Sequence, residues 1–205
     1  VNLHPSLLPK YRGAAPVNWA ILNGENETGN TVIKLTERMD AGSIIAQEKT
    51  PINDEESALD LFKRLSQNGG QLVLKALEMI EADEVHLVEQ DEGAVSYAPK
   101  LEKKQGEIEW GRPALEIVRK IRGTQPWPGA FTFLEGKMLK ILRAKIVKAE
   151  RGGKPGCVCD ERDFIVISGE DAVQVEEVQL EGKKAMSRNE FLRGHKLKKD
   201  LILGS

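Results

Sequence analysis

The spacing of hydrophobic and polar positions predicts alternating helices and strands in the first half of the chain. Residues 14–23 carry a proline near their start and are followed by a glycine, which is typical of a short helix. Residues 31–39 are rich in β-branched and apolar side chains and predict a strand; after a turn at 40–42, residues 43–50 predict a second strand. Apolar positions at helical spacing predict one long helix over 55–81, despite two adjacent glycines inside it.

Short strand patterns dominate the second half. A helix is predicted over 113–122, and a run rich in glycine and proline at 123–129 ends it. Strand-like runs separated by glycine-bearing turns follow at 130–134, 138–147, 157–160, 164–167 and 173–180. Such spacing indicates a small barrel or sandwich. The charged segment between the halves predicts a linker, so we expect a first domain over 1–96, a linker over 97–112 and a second domain over 113–205.

Composition is that of a globular protein. Of the 205 residues, 40% are hydrophobic, and charges of both signs are mixed along the chain. No apolar run approaches the roughly 20 residues that span a bilayer, and the first residues lack the pattern of a secretory signal. We therefore expect a cytoplasmic protein that does not bind membranes. Because Val1 opens directly on a dense motif, we also expect that the chain lacks its true N-terminus.

Charge is distributed unevenly between the two halves. Residues 1–112 carry 12 Lys and Arg against 19 Asp and Glu, whereas residues 113–205 carry 18 against 13, so the net charges are −7 and +5. The asymmetry suits an ordinary solvated surface and equally a basic module that meets a polyanion. Arg143 and Lys145 are two apart in a predicted strand and so share a face. The candidates for phosphate contacts are Lys120, Arg122, Lys140, Arg143, Lys145, Lys183 and Lys184.

The cysteines favour neither a disulfide framework nor a metal site. Cys157 and Cys159 are separated by one residue, which sends their side chains to opposite faces of a strand. Together with His195 they would still lack a second pair of ligands. We expect ordinary strand packing at these positions and no bound metal.

Asn2, His4 and Asp40 are the candidates for a reaction centre. Asn2 and His4 are two positions apart, so on an extended segment they share a face. If the strand over 31–39 lies parallel to the strand that ends at His4, Asp40 emerges on the same carboxyl edge of the sheet, where open α/β folds bind ligands. A carboxylate beside an imidazole favours its protonated form, and an asparagine amide can donate to an oxyanion. The set suits addition of a nucleophile to a carbonyl.

Other interpretations of these residues stay open at this point. Taken singly, a histidine near a proline is more often structural, and an Asp before Ala-Gly usually belongs to a turn. Ser6, two residues after His4, would suggest a serine hydrolase, but no Gly-x-Ser-x-Gly elbow surrounds it.

One long motif carries a resemblance to a known family. The signature of 10-formyltetrahydrofolate-dependent formyltransferases resembles Asn2-Leu3-His4-Pro5-Ser6-Leu7-Leu8-Pro9 and its continuation Lys10-Tyr11-Arg12-Gly13-Ala14-Ala15-Pro16, with the same spacing to Asp40-Ala41-Gly42. That family uses an Asn, a His and an Asp at these positions, which implies that Asn2, His4 and Asp40 are catalytic. The family pattern also implies that the folate site is lined by Ser6, Leu7, Leu8 and Pro9.

Segments further along the chain narrow the resemblance. The members that formylate methionyl initiator tRNA have segments similar to 96–101, 108–110, 125–130, 178–187 and 191–194. The resemblance implies an α/β protein, with a partial Rossmann-like formyltransferase domain followed by a small OB-like β-barrel domain that binds tRNA. It implies 10-formyltetrahydrofolate as cosubstrate and methionyl initiator tRNA as partner, and we expect a monomer. Two alternatives remain: a formyltransferase acting on an amino sugar nucleotide, and a non-catalytic tRNA-binding fragment.

Overall fold

A computed structural model describes residues 1–149, 153–198 and 200–204. The chain divides into two compact units, Val1–Leu101 and Glu102–Ser205. This division falls inside 97–112, the segment predicted as a linker. Within that segment, Ala98 and Leu101 are buried in the first unit, whereas Ile108 and Trp110 are buried in the second. The residues of the segment therefore belong to the folded units themselves.

The sheet of the first unit has three strands in the order β1-β3-β4: β1 (Asn2–His4), β3 (Glu27–Ile33) and β4 (Ile44–Pro51). Both ladders are antiparallel, and His4 lies opposite Thr31. The parallel arrangement considered for the first two of these strands is therefore wrong. The strand predicted over 31–39 is also displaced, because the chain leaves the ladder after Ile33 and enters the hairpin loop that returns into β4.

Two helices and a short strand pair complete the first unit. Helix α1 (Pro16–Leu22) begins with a proline, whose fixed φ suits a first helical turn. Helix α2 (Ala58–Glu81) is capped by Ser57 and is unbroken, as predicted. Strands β2 (Arg12–Gly13) and β5 (Tyr97–Ala98) pair in parallel.

A glycine in the middle of α2 has a packing reason. A Cβ at Gly69 would lie 2.6 Å from Cδ2 of Leu3, a residue of β1. The missing side chain therefore lets α2 approach the sheet closely, which offsets the roughly 1 kcal/mol of helix propensity that glycine loses against alanine. The apolar face of α2 that packs inward includes Leu61, Leu65, Leu72 and Ala76.

The second unit is built on one sheet of six strands: β6 (Phe131–Leu134), β7 (Lys137–Val147), β8 (Val158–Asp160), β9 (Ile165–Ile167), β10 (Ala172–Leu180) and β11 (Met186–Ser187). The order is β6-β7-β10-β9-β8, with β11 paired to β10, and every ladder is antiparallel. The first five strands follow the predicted runs closely. An OB fold is a partly open five-stranded barrel. In the described residues no ladder joins the two end strands, β6 and β8, which agrees with a barrel that is partly open.

Helices α3 (Ala114–Gly123) and α4 (Arg188–Gly194) accompany this sheet. One apolar core fills the second unit, in which the rings of Phe164 and Phe191 stack with centroids 5.7 Å apart. Leu139 and Ile141 point into this core from alternate positions of β7. No helix in the described part of the chain has the length and apolar character needed to cross a membrane.

Candidate active site

The side chains of His4 and Asp40 meet inside the first unit. His4 is only 3% exposed, and its Nδ1 lies 3.5 Å from Oδ2 of Asp40. Its Nε2 lies 2.9 Å from the carbonyl oxygen of Tyr11, which can only accept, so Nε2 carries a proton. Each ring nitrogen thus faces an acceptor, so the ring of His4 is oriented from two sides.

Asp40 reaches this position from the hairpin loop between β3 and β4. Its backbone adopts a φ of 51°, which is uncommon for a residue with a side chain. Its Oδ2 also accepts a hydrogen bond of 2.9 Å from the backbone N–H of Gly13. Gly13 has a φ of 125°, and a Cβ there would lie 2.7 Å from the carbonyl oxygen of Ala98, so only glycine fits. The carboxylate is therefore held by groups from two separate segments.

Asn2 lies on the same strand as His4, two residues earlier and on the same face. It is half-buried and stands opposite Ile33, the last residue of β3. Within the described residues its side-chain amide makes no hydrogen bond. The amide of Asn2 is therefore available to donate to an incoming group, whereas the ring of His4 is held by Asp40 and by the carbonyl of Tyr11.

The loop that follows His4 is tied to the sheet by one hydroxyl. Thr31 Oγ1 donates to the carbonyl oxygen of Ser6 (2.6 Å) and accepts from the backbone N–H of Leu8 (3.2 Å) and from Nε2 of Gln47 (2.8 Å). The hydroxyl of Ser6 donates to the carbonyl oxygen of Lys10 at 2.7 Å. The side chains of Ser6 and Leu8 are buried, whereas Leu7 and Pro9 are partly exposed.

A buried arginine network that the sequence did not predict supports the Asp40 loop. Arg12 is 2% exposed, and its Nε and Nη2 donate to Oε1 of Gln90 at 3.1 and 2.8 Å. Nη2 of Arg12 also donates to Oε1 of Glu92 at 3.0 Å. This hydrogen bond, together with the charges of Arg12 and Arg38, holds the pKa of Glu92 below its ordinary value. Arg12 belongs to the motif singled out in the sequence, whereas no local sequence pattern indicates a role for Gln90.

The basic candidates of the second unit have differing surroundings. Arg143 Nε and Lys145 Nζ both reach the carboxylate of Glu176, at 3.2 and 3.6 Å. They line a cavity of about 160 Å³ together with Ser187, Arg188 and Asn189. Lys120 Nζ donates to the carbonyl oxygen of Glu107 at 2.7 Å and to Oε1 of Glu109 at 3.2 Å.

The remaining basic candidates lie elsewhere in that unit. Lys183 and Lys184 are exposed, directly after a turn in which Gly182 has a φ of 74°. Arg122 and Lys140 are half-buried. In the described residues, no group of three or more His, Cys, Asp or Glu side chains is arranged to hold a metal ion.

Known proteins resemble both units. The family described as formyl transferase matches residues 1–77, and the family described as formyl transferase, C-terminal domain, matches residues 100–196. Methionyl-tRNA formyltransferases of Syntrophus aciditrophicus and Alkaliphilus oremlandii are 43% and 41% identical to this chain over its whole length. The chain belongs to the formyltransferase family. It spans 66% of the length of each of these two relatives.

Solved structures share the fold of this formyltransferase chain. HypX from Aquifex aeolicus, in complex with tetrahydrofolic acid, matches with a TM-score of 0.70 at 24% identity, over 93% of this chain and 34% of its own. An N-formyltransferase from Helicobacter canadensis, in complex with folinic acid and dTDP-3-aminofucose, matches with a TM-score of 0.69 at 25% identity, over 85% of this chain and 65% of its own.

Proposed function

We propose that the protein transfers the formyl group of 10-formyltetrahydrofolate to the α-amino group of methionyl initiator tRNA, the reaction that prepares the initiator for translation in the cytoplasm. The observation that carries this proposal is the pair formed by the buried His4 and the partly buried Asp40, 3.5 Å apart. It lies in a chain that is 43% identical over its whole length to a methionyl-tRNA formyltransferase.

The chemistry is addition to a carbonyl, followed by collapse. The neutral amine attacks the formyl carbon, and the π electrons of the carbonyl move to its oxygen, giving a tetrahedral intermediate. The bond to N10 of the folate then breaks, N10 gains a proton, and the amine nitrogen loses one. An α-amino group has an unperturbed pKa of about 8, so a substantial neutral fraction exists near neutrality.

The roles of the three site residues follow from their contacts. The amide of Asn2 stabilises the oxyanion by donating a hydrogen bond. The imidazolium of His4, whose two ring nitrogens face Asp40 and the Tyr11 carbonyl, stabilises it through its positive charge. Asp40 compensates the charge of the imidazolium and fixes the orientation of its ring. Burial of His4 strengthens these interactions, since water screens them less there. Asp40 also assists the proton transfers, directly or through a water molecule.

The loop at Ser6, Leu7, Leu8 and Pro9 is proposed to contact the folate cosubstrate. The hydroxyl of Ser6 and the side chain of Leu8 are already used inside the protein. The contacts are therefore assigned to the loop backbone and to the exposed parts of Leu7 and Pro9. Thr31 supports this role because its hydroxyl fixes the loop at Ser6 and Leu8.

The basic side chains of the second unit are proposed to contact tRNA phosphates. Arg143, Lys145, Lys183 and Lys184 are exposed, which suits that role. Lys120 suits it less well, because its side chain is only 20% exposed and its ammonium group is bound to the Glu107 carbonyl oxygen and to Glu109.

One rival substrate has a specific observation in its favour. The Helicobacter canadensis N-formyltransferase, whose structure includes dTDP-3-aminofucose, matches this chain with a TM-score of 0.69. An amino sugar nucleotide would present the same kind of primary amine to His4 and Asp40. The higher identity to methionyl-tRNA formyltransferases favours the tRNA substrate.

A side-by-side assay tests the choice. The full-length protein is given 10-formyltetrahydrofolate carrying a labelled formyl group, together with methionyl initiator tRNA or dTDP-3-aminofucose. We expect label on the tRNA and none on the sugar nucleotide. Transfer to the sugar alone would replace the proposed substrate, and tRNA binding without any transfer would indicate a non-catalytic RNA-binding protein.

A further inference from the structure

We propose that Gln90 is a positioning residue, which holds the hairpin loop carrying Asp40 so that its carboxylate faces His4, and that Arg12 sets the orientation of the Gln90 amide. This inference rests on the proposed function for its effect on turnover. It concerns a residue far from the motif in sequence, since 50 positions separate Gln90 from the loop it binds.

Gln90 binds the loop through two carbonyl groups. Its Nε2 donates to the carbonyl oxygens of Asp40 and Gly42, at 2.8 Å each, and the residue is only 9% exposed. One amide group thus satisfies two backbone acceptors on either side of Ala41. If Gln90 were removed, the carbonyl oxygens of Asp40 and Gly42 would lose this hydrogen-bond donor. Because they lie in a largely buried position, leaving them without a partner would cost free energy.

The loop needs such support because its backbone conformation is unusual. Asp40 has a φ of 51°, in the left-handed region that few residues with side chains adopt, Asp more readily than most. Gly42 lies so close to the start of the loop that a Cβ there would stand 1.7 Å from the carbonyl oxygen of Lys34. The loop is therefore closed tightly at its end, while Gln90 fixes the residue that carries the carboxylate.

Arg12 decides which end of the Gln90 amide faces the loop. Two guanidinium nitrogens donate to Oε1, at 3.1 and 2.8 Å, and a guanidinium has no acceptor. A reversed amide would place its NH₂ group against these donors and its oxygen against two carbonyl oxygens. Arg12 itself is compensated by Glu92, at 3.0 Å.

The network ends at the candidate reaction centre. Arg12 directly precedes Gly13, whose N–H donates to Oδ2 of Asp40 at 2.9 Å. The same oxygen lies 3.5 Å from Nδ1 of His4. Displacement of the loop would thus affect both contacts of the carboxylate. A misplacement of about 1 Å in a reaction centre can reduce turnover by about a hundredfold.

Kinetics of Gln90→Ala and Gln90→Glu in the full-length protein test the proposal. The glutamate keeps an acceptor for Arg12 but loses both donors to the loop. We expect both variants to lower kcat by about 10- to 100-fold while both KM values stay within about twofold. The matched control is Gln71→Ala, an exposed glutamine of α2 that should leave kcat unchanged. A Gln90→Glu variant with wild-type kcat, or with KM raised and kcat unchanged, would overturn the proposal.

A spectroscopic measurement separates this inference from the proposed function. In NMR spectra recorded without substrate, the Gly13 amide proton reports its hydrogen bond to Asp40. We expect this signal to move upfield in Gln90→Ala and Gln90→Glu, and to stay in place in Gln71→Ala. An unmoved Gly13 signal in both Gln90 variants contradicts the positioning role. A moved signal in a protein that transfers no formyl group would leave the positioning role standing and refute the proposed function.

Discussion

The two units bury different kinds of side chain. In the described part of the first unit, the buried polar and charged residues are His4, Ser6, Arg12, Thr28, Asn30, Thr31, Thr50, Ser57 and Gln90. Among the described residues of the second unit they are Thr124, Thr132 and Ser168. Apolar burial shows the opposite trend. In the described residues, the second unit has one core of 19 buried residues, whereas the first has three separate clusters of five, four and three.

This difference shows how each unit uses its interior. A buried polar group must be hydrogen-bonded, and a network of such groups fixes the geometry of every member. The first unit therefore holds His4 and Asp40 by specified contacts, and its apolar residues are divided around them. In the part of the second unit that the structure describes, the interior is an apolar core, and most charged side chains lie outside it.

Truncation of a core leucine in the second unit should have the largest effect on stability. Leu139 is fully buried, and Leu139→Ala should lower the free energy of unfolding by about 2–5 kcal/mol, through lost burial and the cavity left behind. The matched control is Leu115→Ala in the same unit, where the side chain is 47% exposed and about 0.5 kcal/mol or less is expected. Urea unfolding measures both. Equal losses would show that the apolar core is not what stabilises this unit.

Removal of the histidine should abolish function and spare the fold. His4→Ala in the full-length protein should reduce formyl transfer by at least about a hundredfold, because an oxyanion or proton-transfer group is lost. Asn2→Ala should behave similarly. Single-turnover formylation measures the loss, and circular dichroism checks the fold. Near-wild-type turnover in either variant would remove that residue from the catalytic set.

Tyr11 tests whether the polar network of the first unit also contributes to stability. Its hydroxyl donates to Oε1 of Glu25 at 2.8 Å and accepts from Nδ2 of Asn23 at 3.2 Å. Burial, opposed by the Asn23 hydrogen bond and reinforced by Glu25, raises the pKa of Tyr11 to about 12. We expect Tyr11→Phe to lower the free energy of unfolding by about 1 kcal/mol at pH 8, as for one hydrogen bond.

The same variant has a predicted pH dependence. Because the folded pKa of Tyr11 lies above the unfolded value of about 10, its contribution is complete below pH 10 and is lost as the pH rises toward 12. The difference between the wild type and Tyr11→Phe, measured by urea unfolding, should therefore shrink across that window. Other groups titrate there too, but they are common to both proteins. A difference that stays constant from pH 9 to 12 would contradict the buried phenol.

The smallest predicted effect concerns the charged periphery of the second unit. Changing Lys183 and Lys184 together to alanine should weaken tRNA binding, and each true phosphate contact should reduce the salt slope by about one. The matched control is the exposed pair Lys103 and Lys104, changed in the same way. Binding titrated against salt measures both. Weaker affinity with an unchanged slope would make the effect structural, and unchanged affinity would clear Lys183 and Lys184 of any role in RNA binding.

The sequence predicted the elements of the second unit well because strand patterns are local. In β7, apolar residues such as Leu139 and Ile141 alternate with more exposed ones, and this periodicity can be read without knowing any partner. The same holds for α2, whose apolar face repeats at helical spacing. Strand direction has no such local signal, so the parallel arrangement considered for the strands before and after α1 was wrong.

His4 and Asp40 are close together for a different reason from the one considered from the sequence, which was that both would lie at the carboxyl edge of a parallel sheet. In the antiparallel sheet, Asp40 is brought back toward His4 by the hairpin loop after β3, with Gly13 and Gln90 as its supports. The motif indicated which residues to compare, but the bonds that hold them join segments that are far apart in sequence. Gln90 carries no pattern of its own, so only the structure identifies it.

The formyl transfer of Asp40→Asn in the full-length protein tests the central claim, that the buried His4 and the partly buried Asp40 form the reaction centre of a formyltransferase. Asp54→Asn, an exposed carboxylate in the same unit, is the matched control. We predict that Asp40→Asn transfers labelled formyl to methionyl initiator tRNA at least about a hundredfold more slowly than the wild type, while Asp54→Asn is unaffected and both variants melt at the wild-type temperature. Wild-type transfer by a folded Asp40→Asn would contradict the account.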